Sequence, residues 1–229
     1  MSLHTLYESQ NSISYIYQSN FLIETLMTKL FFSFLIILTV LLQSCTQEAP
    51  QISQASKDAA LTLAQESQKA MGMHLMNEIN KHGLLHAISF CNDTAEILTH
   101  SKSHTYSREL GRILKVDIKR ASDKNRNPNN TTNKKELAFM DIAKTKLLNG
   151  ETIEPEYQKS GDMVTAYIPI MTKAICLNCH GKPSNMKPEV VAKIKELYPQ
   201  DKAINYEDGE LRGIWVVRMK EIDSERINP

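Results

Sequence analysis

The chain has 229 residues, a formal net charge of +1 at pH 7, 41% hydrophobic residues and 23% charged residues. These proportions are typical of a globular domain and exclude a chain that is disordered throughout. The sequence contains no basic stripe and no glycine-rich phosphate loop, so we do not expect nucleic acid as a partner. The length accommodates one domain with short appendages.

Near the start, Lys29 precedes an apolar run at positions 30–42. This run matches the core of a secretory signal peptide and is shorter than the roughly 20 residues of a membrane span. The segment Leu42-Gln43-Ser44-Cys45 resembles a bacterial lipobox, which implies that Cys45 is acylated and becomes the mature N-terminus. The alternative is an uncleaved membrane anchor.

Four segments follow from this interpretation. Residues 1–26 are a doubtful extension or a misassigned start, 27–44 a lipoprotein signal peptide, 45–56 a polar tether, and 57–222 the folded domain. We expect a protein attached by lipid to the periplasmic side of a bacterial membrane. Thr46, rather than Asp, after the acylated cysteine favours the outer membrane.

Two helices open the predicted domain. Positions 56–81 lack proline and are rich in helix formers, with Ser56 as the expected N-cap and Gly83 as the stop. A second helix is predicted for 84–100, where apolar residues recur in steps of three and four. Cys91 lies in the middle of that apolar face, so we expect it to be buried.

Strands and shorter helices fill the rest of the chain. We predict a strand at 113–121, a polar loop at 123–133, a helix at 134–149, a hairpin of strands 156–160 and 163–170, a helix at 187–198 and a core strand at 211–219. The order of these elements predicts an α+β fold in which N-terminal helices pack on an antiparallel sheet.

The segment Cys176-Leu177-Asn178-Cys179-His180 predicts a covalently attached haem c. Two thiols at this spacing can each form a thioether with one vinyl group of the same porphyrin, and the following imidazole then reaches the iron. Gly181 and Pro183 are expected to end the local helix and free the backbone to fold around the ring. One haem is the expected cofactor.

Other uses of this segment are weaker. Structural zinc needs four ligands, and no second Cys/His pair has suitable spacing. A thiol–disulfide pair would sit between a strand and a long helix, whereas Pro183 shortens the helix here. A disulfide between Cys176 and Cys179 would be strained.

The residue opposite His180 on the iron is left open by the residues alone. Cys91 is either a buried apolar side chain or a ligand, because Cys45 and the two haem cysteines leave it without a disulfide partner. Met171 and Met186 are too close in sequence to the motif to cross the ring. The other candidates lie on the first two helices: Met71, Met73, Met76, His74, His82 and His86.

Five motifs occur in a fixed order, at 87–91 (AISFC), 126–129 (RNPN), 167–170 (YIPI), 176–181 (CLNCHG) and 206–213 (YEDGELRG). Together they resemble bacterial c-type haem proteins with a PAS-like fold, long catalogued as a domain of unknown function. The resemblance spans positions 57–219 and implies that His180 and Cys91 are the axial ligands. It also implies a sensory or redox role.

Three functional hypotheses arise. The first is a sensor of redox state or of a diatomic ligand, which needs a separate signalling partner because the chain carries no output domain. The alternative is a low-potential electron-transfer cytochrome with an unknown redox partner. An enzyme is not expected, because only His86 suggests a distal acid and no other group converges with it. Arg126 is a candidate contact for a haem propionate, while Tyr167 and Trp215 are expected in the pocket or core.

Overall fold

The computed structural model describes residues 51–93 and 116–223, together with the single residue Lys29, and says nothing of the side chains of residues 92 and 93. The chain divides into a unit of residues 1–49 and a unit that begins at Pro50. Cys45 and the predicted signal peptide, apart from Lys29, lie outside the described residues.

Two helices begin the described fold, as predicted. Helix α1 spans Gln54–His82 and helix α2 spans Leu84–Asp93. Gly83 separates them and adopts a φ of 84°, a left-handed conformation that favours glycine and ends a helix. The predicted continuation of α2 towards residue 100 lies outside the described residues.

The start of α1 differs from the prediction. Ser53, rather than Ser56, is the N-cap, and its side chain accepts a hydrogen bond from the Ser56 amide. Ser56 is buried and its Oγ accepts from the Ile222 amide at 2.8 Å, while Ser53 Oγ donates to the Ile222 carbonyl at 2.7 Å. Residues 53–56, which the sequence placed in the tether, therefore belong to the packed helix.

Four strands form one antiparallel sheet. They are β1 (Val116–Ala121), β2 (Glu156–Ser160), β3 (Met163–Met171) and β4 (Leu211–Lys220), in the spatial order β1-β4-β3-β2. β2 and β3 form the predicted hairpin, in which Gly161 takes a φ of 60°. β4 lies between β1 and β3, which explains why its side chains are nearly all buried.

Helices cover both faces of the sheet. α3 spans Lys134–Leu148, and its N-cap Asn133 forms a capping box with Glu136. Successive side chains of β4 point to opposite faces of the sheet. Trp215 and Val217 pack towards α1, whereas Ile214 and Val216 pack towards α3. The α+β prediction, with helices on an antiparallel sheet, is therefore confirmed.

Short elements between β3 and β4 complete the fold. A 3-10 turn at Ala174–Cys176 leads into a one-turn helix, α4 (Leu177–His180), and a second turn at Pro183–Asn185 precedes helix α5 (Pro188–Leu197). Val190, Ile194 and Tyr198 form a small cluster with Ile88 of α2. The α2 helix is thereby attached to α5.

Candidate functional site

The predicted haem-attachment motif folds as a compact turn at the end of β3. The Gly181 amide donates to the Leu177 carbonyl at 3.0 Å and ends α4, as expected. A Cβ added at Gly181 would lie 2.7 Å from that carbonyl oxygen, so the close approach requires glycine. Upstream, Thr172 exchanges backbone hydrogen bonds with Gly209 and Glu210, which fixes the motif to the turn before β4.

The predicted site residues line one cavity of about 220 Å³. Cys176, Cys179 and His180 line it from the motif, Cys91 lines it from α2, and Arg126 lines it from the loop after β1. The cysteine and the histidine that the sequence proposes as axial ligands are 89 positions apart and reach the same cavity. The structure therefore brings the predicted site residues together, except Cys45, which lies outside the described residues.

The lining of this cavity is divided between apolar and cationic groups. Both N-terminal helices contribute apolar side chains: Met71, Leu75, Ile79, Leu84, Ala87 and Ile88. Three arginines also line it, namely Arg120, Arg126 and Arg212, and no acidic residue does so among the described residues. An apolar space with guanidinium groups suits a flat apolar molecule that carries carboxylates. Haem, with its two propionates, has that composition.

A second cavity of about 600 Å³ adjoins the first between α1 and β3. Gln68, Met171 and Cys176 are among the residues that line both. Gln68 Oε1 accepts a hydrogen bond from Trp215 Nε1 at 3.0 Å, so a glutamine at the border of the site is tied to the core of the sheet.

His180 is held with one ring nitrogen turned to the backbone. Its Nδ1 lies 2.8 Å from the Ala203 carbonyl oxygen, which can only accept. Burial, followed by the positive charges of Arg212 and Arg126, lowers the pKa of His180 well below its ordinary value. A neutral imidazole that donates from Nδ1 leaves Nε2 as the nitrogen with a lone pair, the form that binds metals.

Cys91 is half-buried rather than fully buried, because its side chain borders the cavity. Burial raises the pKa of the Cys91 thiol, and the nearby Arg120 and Arg126 act in the opposite direction. Cys91, Cys176 and Cys179 are all free thiols. The donors that line the cavity thus include the two thiols of the motif, one imidazole and the thiol of Cys91, a set that fits a c-type haem with two axial ligands.

Arg126 has a structural role that the sequence did not reveal. Its Nη2 donates to the Cys179 carbonyl at 2.6 Å, to Asp201 Oδ2 at 2.9 Å and to the Ala203 carbonyl at 3.3 Å. Its buried Nε has no hydrogen-bond partner among the described residues. The guanidinium therefore connects the motif to the segment that contains Asp201 and Ala203, and the predicted propionate contact stays untested.

The remaining candidates for the sixth ligand differ in whether they line the cavity. Met71 lines the cavity, whereas His74, His82, His86, Met73 and Met76 are not among its lining residues. His86 Nδ1 instead lies 3.0 Å from Glu78 Oε2. No group of three or more histidine, cysteine or acidic side chains suited to a metal ion occurs within the described residues.

Sequence reasoning missed several residues of this site. Arg212 belongs to the motif at 206–213, and Arg120 is a charged residue within a strand; each offered a weak signal as a cavity-lining cation. Asp201 and Ala203 offered none, because one acts through an ion pair and the other through its backbone carbonyl.

One family model and one solved structure are similar to this chain. The model of the Tll0287-like family matches residues 41–220, well over half of the chain. The solved structure described as the cyanobacterial heme-protein Tll0287 is similar with a TM-score of 0.52 at 18% sequence identity, covering 75% of this chain and 99% of that one. No curated protein matches the chain.

Within the described residues, no helix is both long enough and apolar enough to cross a membrane.

Proposed function

Because the chain belongs to the Tll0287-like family, we propose that it is a c-type haem protein with one covalently attached haem. Cys176 and Cys179 would form the two thioethers and His180 would bind the iron from one side. The observation that carries the proposal is the shared cavity, in which both thiols, the imidazole of His180 and the thiol of Cys91 meet an apolar wall. The similar solved protein is itself described as a heme protein.

Cys91 is proposed as the second axial ligand. Among the alternatives weighed from the sequence, Met71 shares the cavity but is a residue of an otherwise apolar helix stripe. Bound haem would supply a one-electron iron couple and, when an axial position opens, a site for a diatomic ligand. A thiolate donor is expected to favour the ferric state and to give a low reduction potential.

The chain's own residues would shape that chemistry. The apolar side chains of α1 and α2 exclude water from the cavity, and the arginines at its border offer donors to propionates. Arg126 retains a buried Nε without a partner for such a contact. Burial and the nearby arginines favour the neutral form of His180, and the Ala203 carbonyl orients its ring.

We propose a sensor, rather than an electron carrier, as the physiological role. Cys91 lies on α2, a ten-residue helix that packs on α5 through Ile88. Movement of Cys91 would therefore be transmitted to α5 and from there to a signalling partner. The protein would act outside the cytoplasm, anchored through acylated Cys45 on the periplasmic face of a membrane, in preference the outer one.

The pyridine haemochrome assay on the purified protein is the first test. Covalent haem gives a c-type α-band that survives acid–acetone extraction, and replacing Cys176 and Cys179 by alanine should abolish it. Absence of the c-type band in the parent protein would refute the proposal at its root.

Cys91 is tested by comparing Cys91→Ser with Met71→Leu as the matched control. We expect the ferric absorption and EPR spectra to change in the first variant and to stay as in the parent in the second. The sensor role further predicts rapid binding of CO to the dithionite-reduced protein. A spectrum inert to CO would favour the electron carrier, and an unchanged Cys91→Ser spectrum would exclude thiolate ligation.

The anchor is tested independently. Expression in a Gram-negative host should place the protein in the membrane fraction and label it with radioactive palmitate. A Cys45→Ala variant should lose the label, and a label that persists would contradict the lipid attachment.

A further inference from the structure

The orientation of His180 depends on a backbone carbonyl in a segment 23 positions further along the chain. His180 Nδ1 lies 2.8 Å from the Ala203 oxygen. Because a carbonyl is only an acceptor, the hydrogen must be on Nδ1, and Nε2 is left for a ligand in the cavity. Whatever fixes Ala203 therefore also fixes the tautomer of His180.

Asp201 fixes Ala203 from within the same segment. Asp201 Oδ1 accepts from the Ala203 amide at 2.8 Å, while Oδ2 accepts from Arg126 Nη2 at 2.9 Å. The same Nη2 also donates to the Ala203 and Cys179 carbonyls. One guanidinium nitrogen thus joins the acid, the carbonyl that faces His180, and the motif that carries His180.

The backbone adds a second connection between the same two segments. The Asn205 amide donates to the Gly181 carbonyl and the Tyr206 amide to the His180 carbonyl, each at 3.0 Å. Asn205 takes a φ of 63°, a conformation that asparagine tolerates better than most residues. Residues 201–206 therefore run alongside the motif and hold it from the side.

The Arg126–Asp201 pair is well suited to fix a position. The side chains of Arg126 and Asp201 are only 11% and 8% exposed. A pair removed from water in this way holds one geometry more strictly than a surface pair, and breaking one partner leaves a buried charge. Arg126 also lies over the Tyr198 ring at 5.7 Å, which restricts it further.

We propose that Arg126 and Asp201 are positioning residues for His180: they hold the Ala203 carbonyl so that the imidazole keeps its hydrogen on Nδ1 and presents Nε2 to the cavity. The inference rests on the proposed function only in taking Nε2 as the iron-binding atom. The tautomer itself is a property of the protein and can be measured without haem.

The test uses Arg126→Gln and Asp201→Asn, with Lys182→Gln as the matched control. Lys182 lies next to the motif and pairs with Glu207, but both side chains are largely exposed. In the haem-loaded protein, ferric EPR g values and the Soret band report on the His180–iron geometry. In the Cys176→Ala/Cys179→Ala chain, ¹⁵N NMR of labelled histidine reports the tautomer directly.

We expect both variants to lower the ratio of the Nδ1–H to the Nε2–H tautomer by about fivefold, the effect of losing one hydrogen bond's support. We also expect displaced g values in the haem-loaded protein, while Lys182→Gln matches its parent in both measurements. Arg126→Lys should restore part of the ratio, because an ammonium keeps the charge but not the fork of donors.

Two results would overturn the proposal. One is an unchanged tautomer ratio in a folded Asp201→Asn chain. If the haem-free chain does not fold, the decisive result is an EPR spectrum of haem-loaded Asp201→Asn identical to that of the parent. A parent protein without a c-type band would refute the proposed haem function, yet the tautomer ratio would still decide whether the clamp on His180 exists.

Discussion

Replacing Glu136 tests how the first turn of α3 is held on the sheet. Glu136 is fully buried, and its carboxylate accepts from Lys119 at 3.0 Å, from Arg218 at 3.2 Å and from the Asn133 amide at 2.9 Å. Removing one partner of a buried ion pair costs about 3–5 kcal/mol. Lys119 and Arg218 are 31% and 41% exposed and can regain water, which lowers the cost.

We therefore expect Glu136→Ala to destabilise the fold by about 3 kcal/mol, including the lost capping contact. Glu136→Gln keeps the volume and one acceptor oxygen, and should cost about 1.5 kcal/mol because two ion pairs lose their negative partner. Urea unfolding followed by far-UV circular dichroism measures both. Glu189, an exposed glutamate in the first turn of α5, is the control, and Glu189→Gln should change stability by less than about 0.5 kcal/mol. Equal stabilities of Glu136→Gln and the parent would refute the reasoning.

Gln68→Leu removes the acceptor of the buried Trp215 indole, so we expect the free energy of unfolding to fall by about 1–2 kcal/mol. The emission maximum of this single tryptophan should also change. Unaltered emission would show that the bond is unimportant. Gly213→Ala should lower the urea midpoint clearly, because its Cβ would lie 2.6 Å from the Ala121 carbonyl oxygen; a midpoint equal to that of the parent would contradict this packing. In the haem-free chain, the rate at which iodoacetamide alkylates Cys91 should rise with a midpoint pH above that of a free cysteine, because burial disfavours the thiolate. A midpoint at or below the free value would mean that the positive charges of Arg120 and Arg126 outweigh the effect of burial.

Much of the fold follows from local signals in the sequence. Gly83 and Gly150 adopt left-handed backbone angles after helices, and Asn133 with Glu136 forms a capping box. Each of these depends on residues within one turn of the chain, which is why the helix ends were predictable. The start of α1 was not, since Ser53 was selected as cap by its contacts with Ile222, 169 positions away.

The candidate site was predictable to the extent that it consists of distinctive side chains. Cysteine and histidine are chemically distinctive residue types that can be recognised in a sequence. All four of these site residues line the cavity: Cys91, Cys176, Cys179 and His180. The support for His180 could not be foreseen, because Ala203 acts through a carbonyl that every residue possesses. The sequence predicts that Arg126 contacts a haem propionate, whereas in the structure its Nη2 donates hydrogen bonds to the Cys179 carbonyl and to Asp201.

The two halves of the site are joined by the packing around α5. Tyr198 belongs to the cluster that contains Ile88 of α2, and Cys179 packs against the same cluster. Arg126, which braces His180, lies over the ring of Tyr198. A displacement of α2 at Cys91 would press on this cluster, and the cluster contacts both the motif and its brace. The geometry at His180 should therefore respond to the state of Cys91, which is the coupling that a sensor requires and an electron carrier does not.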